Sequence, residues 1–382
     1  MWMQRVAVGW LAWDLSGSAF WVGMVAFADL APAVLVSPLA GAVADRVDRL
    51  RLPLLTQLAI AAQAALIAAL AAAGWMTIGL LLVLEVLGGI AACFAQPARQ
   101  TLLPGIVPRT DLPSAVALNS LVFNIARFLG PSLAGPAILA WGVAPAIAAN
   151  ALAYTLAASS LLLLRVAPEA RQGHPASASL FGEMRAGLAY VARHPGLGPI
   201  LLFAALAGVA LRGVQEILPP FVERLFAGGP DSLALLTAAF GVGALASGLT
   251  LAARGRLAGT TRIAIAAVAV QAVATAGFVA SGVFVLGVLA AAVMGAMASL
   301  HGIAVQTLVQ SATDPAMRGR VLAVWGLITR GCPAAGALAL GAAGEVFGMA
   351  APVYVTALLA LGVVLWGLSV LRRVAARLEQ EG

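Results

Sequence analysis

The chain has 382 residues, of which 62% are hydrophobic and only 10% charged, against roughly 25% charged in an average soluble domain. A soluble protein of this length has too little interior to hide that much apolar surface, so the composition excludes a water-soluble enzyme and requires a bilayer as solvent. The formal charge of +7 is carried entirely by arginine, and these arginines fall at intervals between apolar stretches instead of forming one basic face, a pattern of membrane topology and not of nucleic-acid binding.

Helices that cross a bilayer need about 20 apolar residues. In chain order, such stretches are predicted at 1–14, 20–42, 53–73, 76–96, 119–140, 144–164, 197–221, 232–253, 262–281, 284–309, 321–343 and 351–371. The first is short, giving about 21 Å of helix against a hydrocarbon core of about 30 Å, and the expectation is a first helix truncated at Met1. No A-x-A-like cleavage site follows it, so it does not read as a signal peptide.

Alternate loops sort the arginines. One set holds Arg46, Arg49 and Arg51, then Arg99, Arg109, Arg165, Arg171, Arg185 and Arg193, then Arg254, Arg256, Arg262, Arg318 and Arg320, and finally Arg372, Arg373 and Arg377. The opposite set holds only Arg224. The positive-inside rule places the first set and both termini in the cytoplasm, as an even span count requires.

Between the sixth and seventh stretches lies the longest connection, so the expected organisation is a six-helix half at 1–164, a cytoplasmic linker at 165–196 and a second six-helix half at 197–382. In the linker, Leu180, Phe181, Met184, Leu188 and Val191 recur at helical spacing, predicting an amphipathic helix on the inner leaflet. The halves also repeat. Ala98-Arg-Gln-Thr-Leu-Leu matches Ala304-Val-Gln-Thr-Leu-Val, Asn124–Arg127 corresponds to Leu327–Arg330, and Arg5 to Arg212. Parallel repeats with a substrate site between them are a recurring transporter plan.

Gly41-Ala-Val-Ala-Asp45-Arg46-Val-Asp48-Arg49-Leu-Arg51 resembles the signature loop of the major facilitator superfamily. With Phe94–Pro104 and Arg318–Gly326, the chain is similar to the branch that holds enterobactin exporters and macrolide-efflux proteins. The resemblance implies an all-α membrane protein of the twelve-helix major-facilitator fold, in two pseudo-symmetric six-helix bundles, in the bacterial cytoplasmic (inner) membrane. It implies that Gly41, Asp45, Arg46, Asp48, Arg49 and Arg51 form a latch between conformations; a plain positive-inside turn is the other reading. The second-half counterpart, Ala253–Arg256, has lost the acid. Gly130, Pro131, Gly135 and Pro136 are similar to the glycine-proline motif of the family's antiporters, read either as a bend or as small-residue helix packing.

Charges within spans each cost roughly 2.5–3.5 kcal/mol near the bilayer centre. Asp29, Glu85 and Glu216 are the candidates for proton coupling; Arg5, Arg127, Arg212, Arg330 and His301 are candidates for charge pairing or for lining a cavity. Arg212 and Glu216, four apart, are expected to share a helix face. Alternating contact of Asp29 or Glu85 with Arg127 or Arg5 would load and release a proton. Trp10, Trp13, Phe27, Phe123 and Trp325 are stacking candidates, with interfacial anchoring as the other reading.

Cys93 and Cys332 lack CxxC spacing, and the histidines His174, His194 and His301 are scattered with no HExxH; no metal site and no cofactor are expected. No GxxxxGK[ST] loop is present to take energy from a nucleotide, and no nucleophile–base pair marks an enzyme. The reading is a monomeric secondary transporter, a proton-coupled exporter of an amphipathic drug, macrolide or siderophore-like molecule. Its partners are that substrate, protons and the lipid bilayer. An importer on the same fold, or a receptor or scaffold without transport, are the alternatives.

Overall fold

In hydrocarbon no water reaches the backbone, so each segment must satisfy its own N–H and C=O groups, and only helices do so without a closed sheet. A computed structural model describes residues 2–33, 50–102, 110–164, 180–254, 257–314 and 316–379, with positions 36, 40, 43, 47, 48, 107 and 108 besides. Among the described residues no strand occurs. The helices are α1 (Trp2–Ser16), α2 (Ala19–Leu30), α3 (Arg51–Ala72), α4 (Ile78–Leu102), α5 (Leu112–Trp141), α6 (Val143–Leu162), α7 (Leu180–Arg193), α8 (Leu197–Leu211), α9 (Gly213–Glu216), α10 (Leu218–Phe226), α11 (Pro230–Arg254), α12 (Thr260–Ala280), α13 (Phe284–Ala312), α14 (Arg318–Phe347) and α15 (Ala350–Leu378).

Eight of these, α3, α4, α6 and α11 to α15, are long and apolar enough to cross a membrane among the described residues. A ninth arises if α7 and α8, which meet at 106°, count as one bent span. Leu156, Leu249, Leu289, Leu358 and Leu365 stand exposed on these helices, an apolar outer face that water would not tolerate but lipid tails match.

The predicted span at 197–221 is not one helix. It divides into α8, α9 and α10, with breaks at Arg212 and at Ile217 (φ −121°, ψ 44°). Pro219 and Pro220 follow the second break; without N–H groups they are tolerated in the first turn of α10 but cannot continue a helix from before it.

By its contacts the chain falls into two units, residues 1–16 with 28–181, and residues 17–27 with 182–382. In the first, α3 packs on α4 and α6, and α1 on α5 and α6. A Cβ on Gly130 of α5 would lie 2.5 Å from the Trp2 Cβ, so the missing side chain is what lets α1 and α5 touch. α5 runs on through Pro131 and Pro136 as a single helix.

In the second unit, α11 and α12 flank α13, and α8 packs on α14 and α15. Leu197, Leu201, Phe203, Leu211, Val268, Val305 and Leu308 sit at the centre of its core. At the α11–α13 crossing a Cβ on Gly243 would lie 1.8 Å from the Ala292 carbonyl oxygen, and one on Gly295 2.0 Å from that of Phe240. The two glycines therefore seat each helix backbone directly on the other.

Side chains close the open helix ends of this unit. The Glu379 carboxylate, just past α15, accepts from the Gly259 and Thr261 N–H groups at 2.6 and 2.7 Å, capping the start of α12 with the charge its dipole favours. α7 presses Gly187 against the Arg320 backbone and buries Val191, while Leu188 stays exposed. At the corner after α7, the His194 Nδ1 accepts from the Gly196 and Leu197 N–H groups at 3.2 and 3.1 Å, the contact an N-cap makes.

That cap needs a neutral imidazole. Burial and, after it, the Arg377 guanidinium hold His194 below its ordinary value of 6.5. A histidine depressed in the folded state adds stability above its unfolded value and loses it as the pH falls through that value. The melting temperature of the solubilised protein is therefore expected to fall between about pH 7.5 and about pH 5.5. His194→Asn, which keeps an acceptor at the cap and does not titrate, should flatten that fall; an equally steep decline in the variant would assign it to other groups.

Candidate functional site

Among the described residues Glu85 is the acid that the first unit buries most deeply, 6% exposed on α4. Its Oε1 accepts a hydrogen bond from Nε2 of Gln63 on α3 at 3.0 Å, and the same nitrogen donates to the Leu84 carbonyl at 3.2 Å. The Gln63 Oε1 accepts from Nε2 of Gln4 on α1 at 3.1 Å, and the Gln4 Oε1 accepts in turn from Nδ2 of Asn150 on α6. Gln4, Gln63 and Asn150 are all buried. Four helices thus meet on one ladder of side-chain amides that ends on a carboxyl group.

Small residues make the seam. On α4 a Cβ at Gly88 would lie 2.8 Å from the Gln63 Nε2, and one at Gly89 2.3 Å from the Asp29 carbonyl oxygen of α2. Glu85 and Gly89 are one turn apart on one face, so the carboxyl sits where α4 approaches both α2 and α3. Nearby, Asp29 is paired with Arg5 at 3.4 Å, both side chains about a fifth to a quarter exposed. Arg5 also lies over the Trp2 ring, 5.8 Å from its centroid. Arg5 is thus the arginine that the structure brings to Asp29; the side chain of Arg127, the other expected partner, lies outside the described residues.

The candidates of the second unit are dispersed. Arg212 caps α8 and Glu216 ends α9, so the two lie on either side of a break, not on one uninterrupted helix. Arg330 is half-buried on α14. His301 on α13 is buried, with Nδ1 3.1 Å from the Ala264 carbonyl and its ring 5.7 Å from that of Phe203. A carbonyl only accepts, so Nδ1 carries the hydrogen. Arg224 on α10 donates to the Gly17 carbonyl at 3.0 Å and pairs with Glu345 at 3.5 Å, and Glu345 accepts from the Ala19 N–H at 2.9 Å. The start of α2 is thereby clasped by the ends of α10 and α14.

Of the predicted latch, Gly41, Asp45, Arg46 and Arg49 lie outside the described residues. The Asp48 Oδ1 accepts from the Leu50 and Arg51 N–H groups at 2.8 and 3.1 Å, so it caps α3. Gly135 is buried and Pro136 exposed on α5. Among the aromatic candidates, Trp13 and Trp325 are buried in packing, Trp10 and Phe27 are half-buried, and the Phe123 side chain lies outside the described residues. No group of three or more metal-ligating side chains occurs among the described residues.

Sequence reasoning missed Gln4, Gln63, Asn150 and Glu345. For Gln4, Gln63 and Asn150 the signal available was an uncharged amide inside an apolar span, a group that must find a partner in hydrocarbon.

The family described as "Transmembrane secretion effector" matches residues 1–381. The chain is 30% identical over 313 residues to the MFS-type transporter y4rN of Sinorhizobium fredii, covering 79% of this chain and 74% of that one. It is 27% identical over 352 residues to the multidrug efflux pump Tap of Mycolicibacterium fortuitum, covering 89% and 83%. It is 24% identical over 251 residues to the staphyloferrin A transporter of Staphylococcus aureus, covering 65% of this chain and 62% of that one. The fold matches that of the nucleoside transporter NupG with a TM-score of 0.71 at 16% identity, over 97% of each chain.

Arg224 and Glu345 are each more than a third exposed, so their ion pair is worth under about 1 kcal/mol. A double-mutant cycle of Arg224→Ala and Glu345→Ala on thermal unfolding is expected to show coupling no larger than that, with Glu345→Ala the costlier single change because it also uncaps Ala19. Coupling well above about 1 kcal/mol would mean that the pair is shielded from water more than its exposure indicates.

Proposed function

Since the chain belongs to the major facilitator superfamily, matched from residue 1 to 381 by its transmembrane secretion effector family, we propose that this membrane transporter exports an amphipathic small molecule, a drug, macrolide or siderophore-like compound, in exchange for protons. The observation that carries this reading is a pair of acids, Asp29 and Glu85, held among the helices of the first unit. Such residues are costly in a bilayer and mark ion or proton pathways. Names of relatives supply the direction: Tap is a multidrug efflux pump, and a macrolide efflux protein A from Streptococcus pyogenes is 22% identical over 247 residues.

Proton entry supplies the work. One proton moving inward down a potential of 100 mV yields about 2.3 kcal/mol, enough to hold a substrate gradient of roughly fifty-fold. The proposal includes an orientation, with both termini cytoplasmic in the inner membrane, on the strength of Arg224 standing alone among the arginines of its side. It also keeps the 41–51 loop as the conformational latch, with Asp48 fixing where α3 begins.

The test is purified protein in sealed vesicles with an acidic interior and a pH-sensitive dye, challenged with macrolides, cationic dyes and siderophores. Addition of a substrate is expected to dissipate the gradient while that substrate accumulates inside. Accumulation that ignores the gradient would remove proton coupling from the proposal, and co-movement of substrate and protons in one direction would replace export by uptake.

A further inference from the structure

We propose that Glu85 is the group that binds and releases the exchanged proton, and that the amides of Gln63, Gln4 and Asn150 position it, while Asp29 remains a fixed carboxylate beside Arg5. The proposal rests on the proton-coupled reading above and assigns its site.

The ladder has a direction. Asn150 donates to Gln4, Gln4 to Gln63, and Gln63 to the Glu85 carboxyl oxygen. A carboxylate only accepts, so its presence at the end fixes which way every amide points, and each bond polarises the next. An amide N–H suits both states of the acid: it binds a carboxylate oxygen, and it binds the carbonyl oxygen of the neutral acid equally well in geometry. Glu85 therefore has a partner that neither state must abandon.

Asp29 has a different kind of partner. Its carboxylate faces the Arg5 guanidinium at 3.4 Å, and a proton there would weaken a direct ion pair, whereas the Glu85 carboxyl is held by a neutral amide. Of the two acids, Glu85 changes state with the smaller disturbance to its neighbours. The charged groups around it are Asp29 from α2 and Arg5 from α1; the group that α3 presents to it is the neutral amide of Gln63, with Gln4 and Asn150 behind it. In the exchange the O–H bond of Glu85 breaks, the proton passes to water, and the carboxylate keeps the Gln63 hydrogen bond; the reverse step reloads it.

Infrared difference spectra of the intact protein in phospholipid vesicles, taken across a pH titration with no substrate present, read this directly. A protonated-carboxyl C=O band that disappears as the pH rises is expected in the wild type and in Asp29→Asn, and is expected to be absent in Glu85→Gln, whose side chain has the shape of the neutral acid. Gln63→Met should move the midpoint of that band by on the order of one pH unit, the worth of one hydrogen bond; Gln4→Met is the substitute if that variant does not stay monodisperse. A wild-type band that survives in Glu85→Gln, or is lost in Asp29→Asn, overturns the assignment, and an unmoved midpoint in the amide variants overturns the positioning role. The two readings fail separately: a Glu85 band together with vesicles in which no substrate moves protons would refute proton-coupled export and leave the site standing.

Discussion

A polar group carried into an apolar bundle has to find its partner inside the protein, because lipid offers none. Backbone groups meet this demand by forming helices. Side chains meet it one at a time: Thr155 and Thr237 return their hydroxyls to carbonyls of the preceding turn, and His301 donates to Ala264. When ionised, Glu85 cannot use a carbonyl, since both would be acceptors, so it takes a donor from another helix, and that donor requires an acceptor of its own. The ladder from α4 through α3 and α1 to α6 follows from that one carboxyl group.

The same demand sorts interactions by weight. A buried acceptor stripped of its donor loses about 1–3 kcal/mol, and more when charged, whereas the half-exposed contact between Arg224 and Glu345 has water as a ready substitute. Polar residues within the first unit are therefore bound to one another more strictly than those at the outer ends of α10 and α14. Close helix contact depends in turn on positions with no side chain at all, Gly89 at the seam beside Glu85 and the Gly243–Gly295 pair at the α11–α13 crossing.

Much of this was legible in the sequence. Hydropathy alone placed eight of the twelve predicted spans that the described residues show as long apolar helices, because transfer of about 20 apolar residues is a large, additive signal. Charge inside a span marked Asp29, Glu85 and Arg5 for the same reason. The amides did not register, since Gln4, Gln63 and Asn150 carry no charge and lie 59 and 146 residues apart along the chain; only their convergence in space gives them meaning. The division of the span at 197–221 had a visible sign in Pro219-Pro220, which hydropathy counts as merely mild. The Arg212–Glu216 spacing pointed to one helix face because an (i, i+4) rule presupposes an unbroken helix, and this one breaks.

The cap on α12 has a consequence for the order in which the protein is made. Glu379 is translated about 120 residues after Gly259, whose N–H it accepts. During synthesis α12 is already inserted while its first N–H groups still await their acceptor, and three further helices must emerge before it arrives. The start of α12 therefore reaches its finished hydrogen bonding only after α15 has been made, and a stall shortly before Glu379 would leave that end of α12 open.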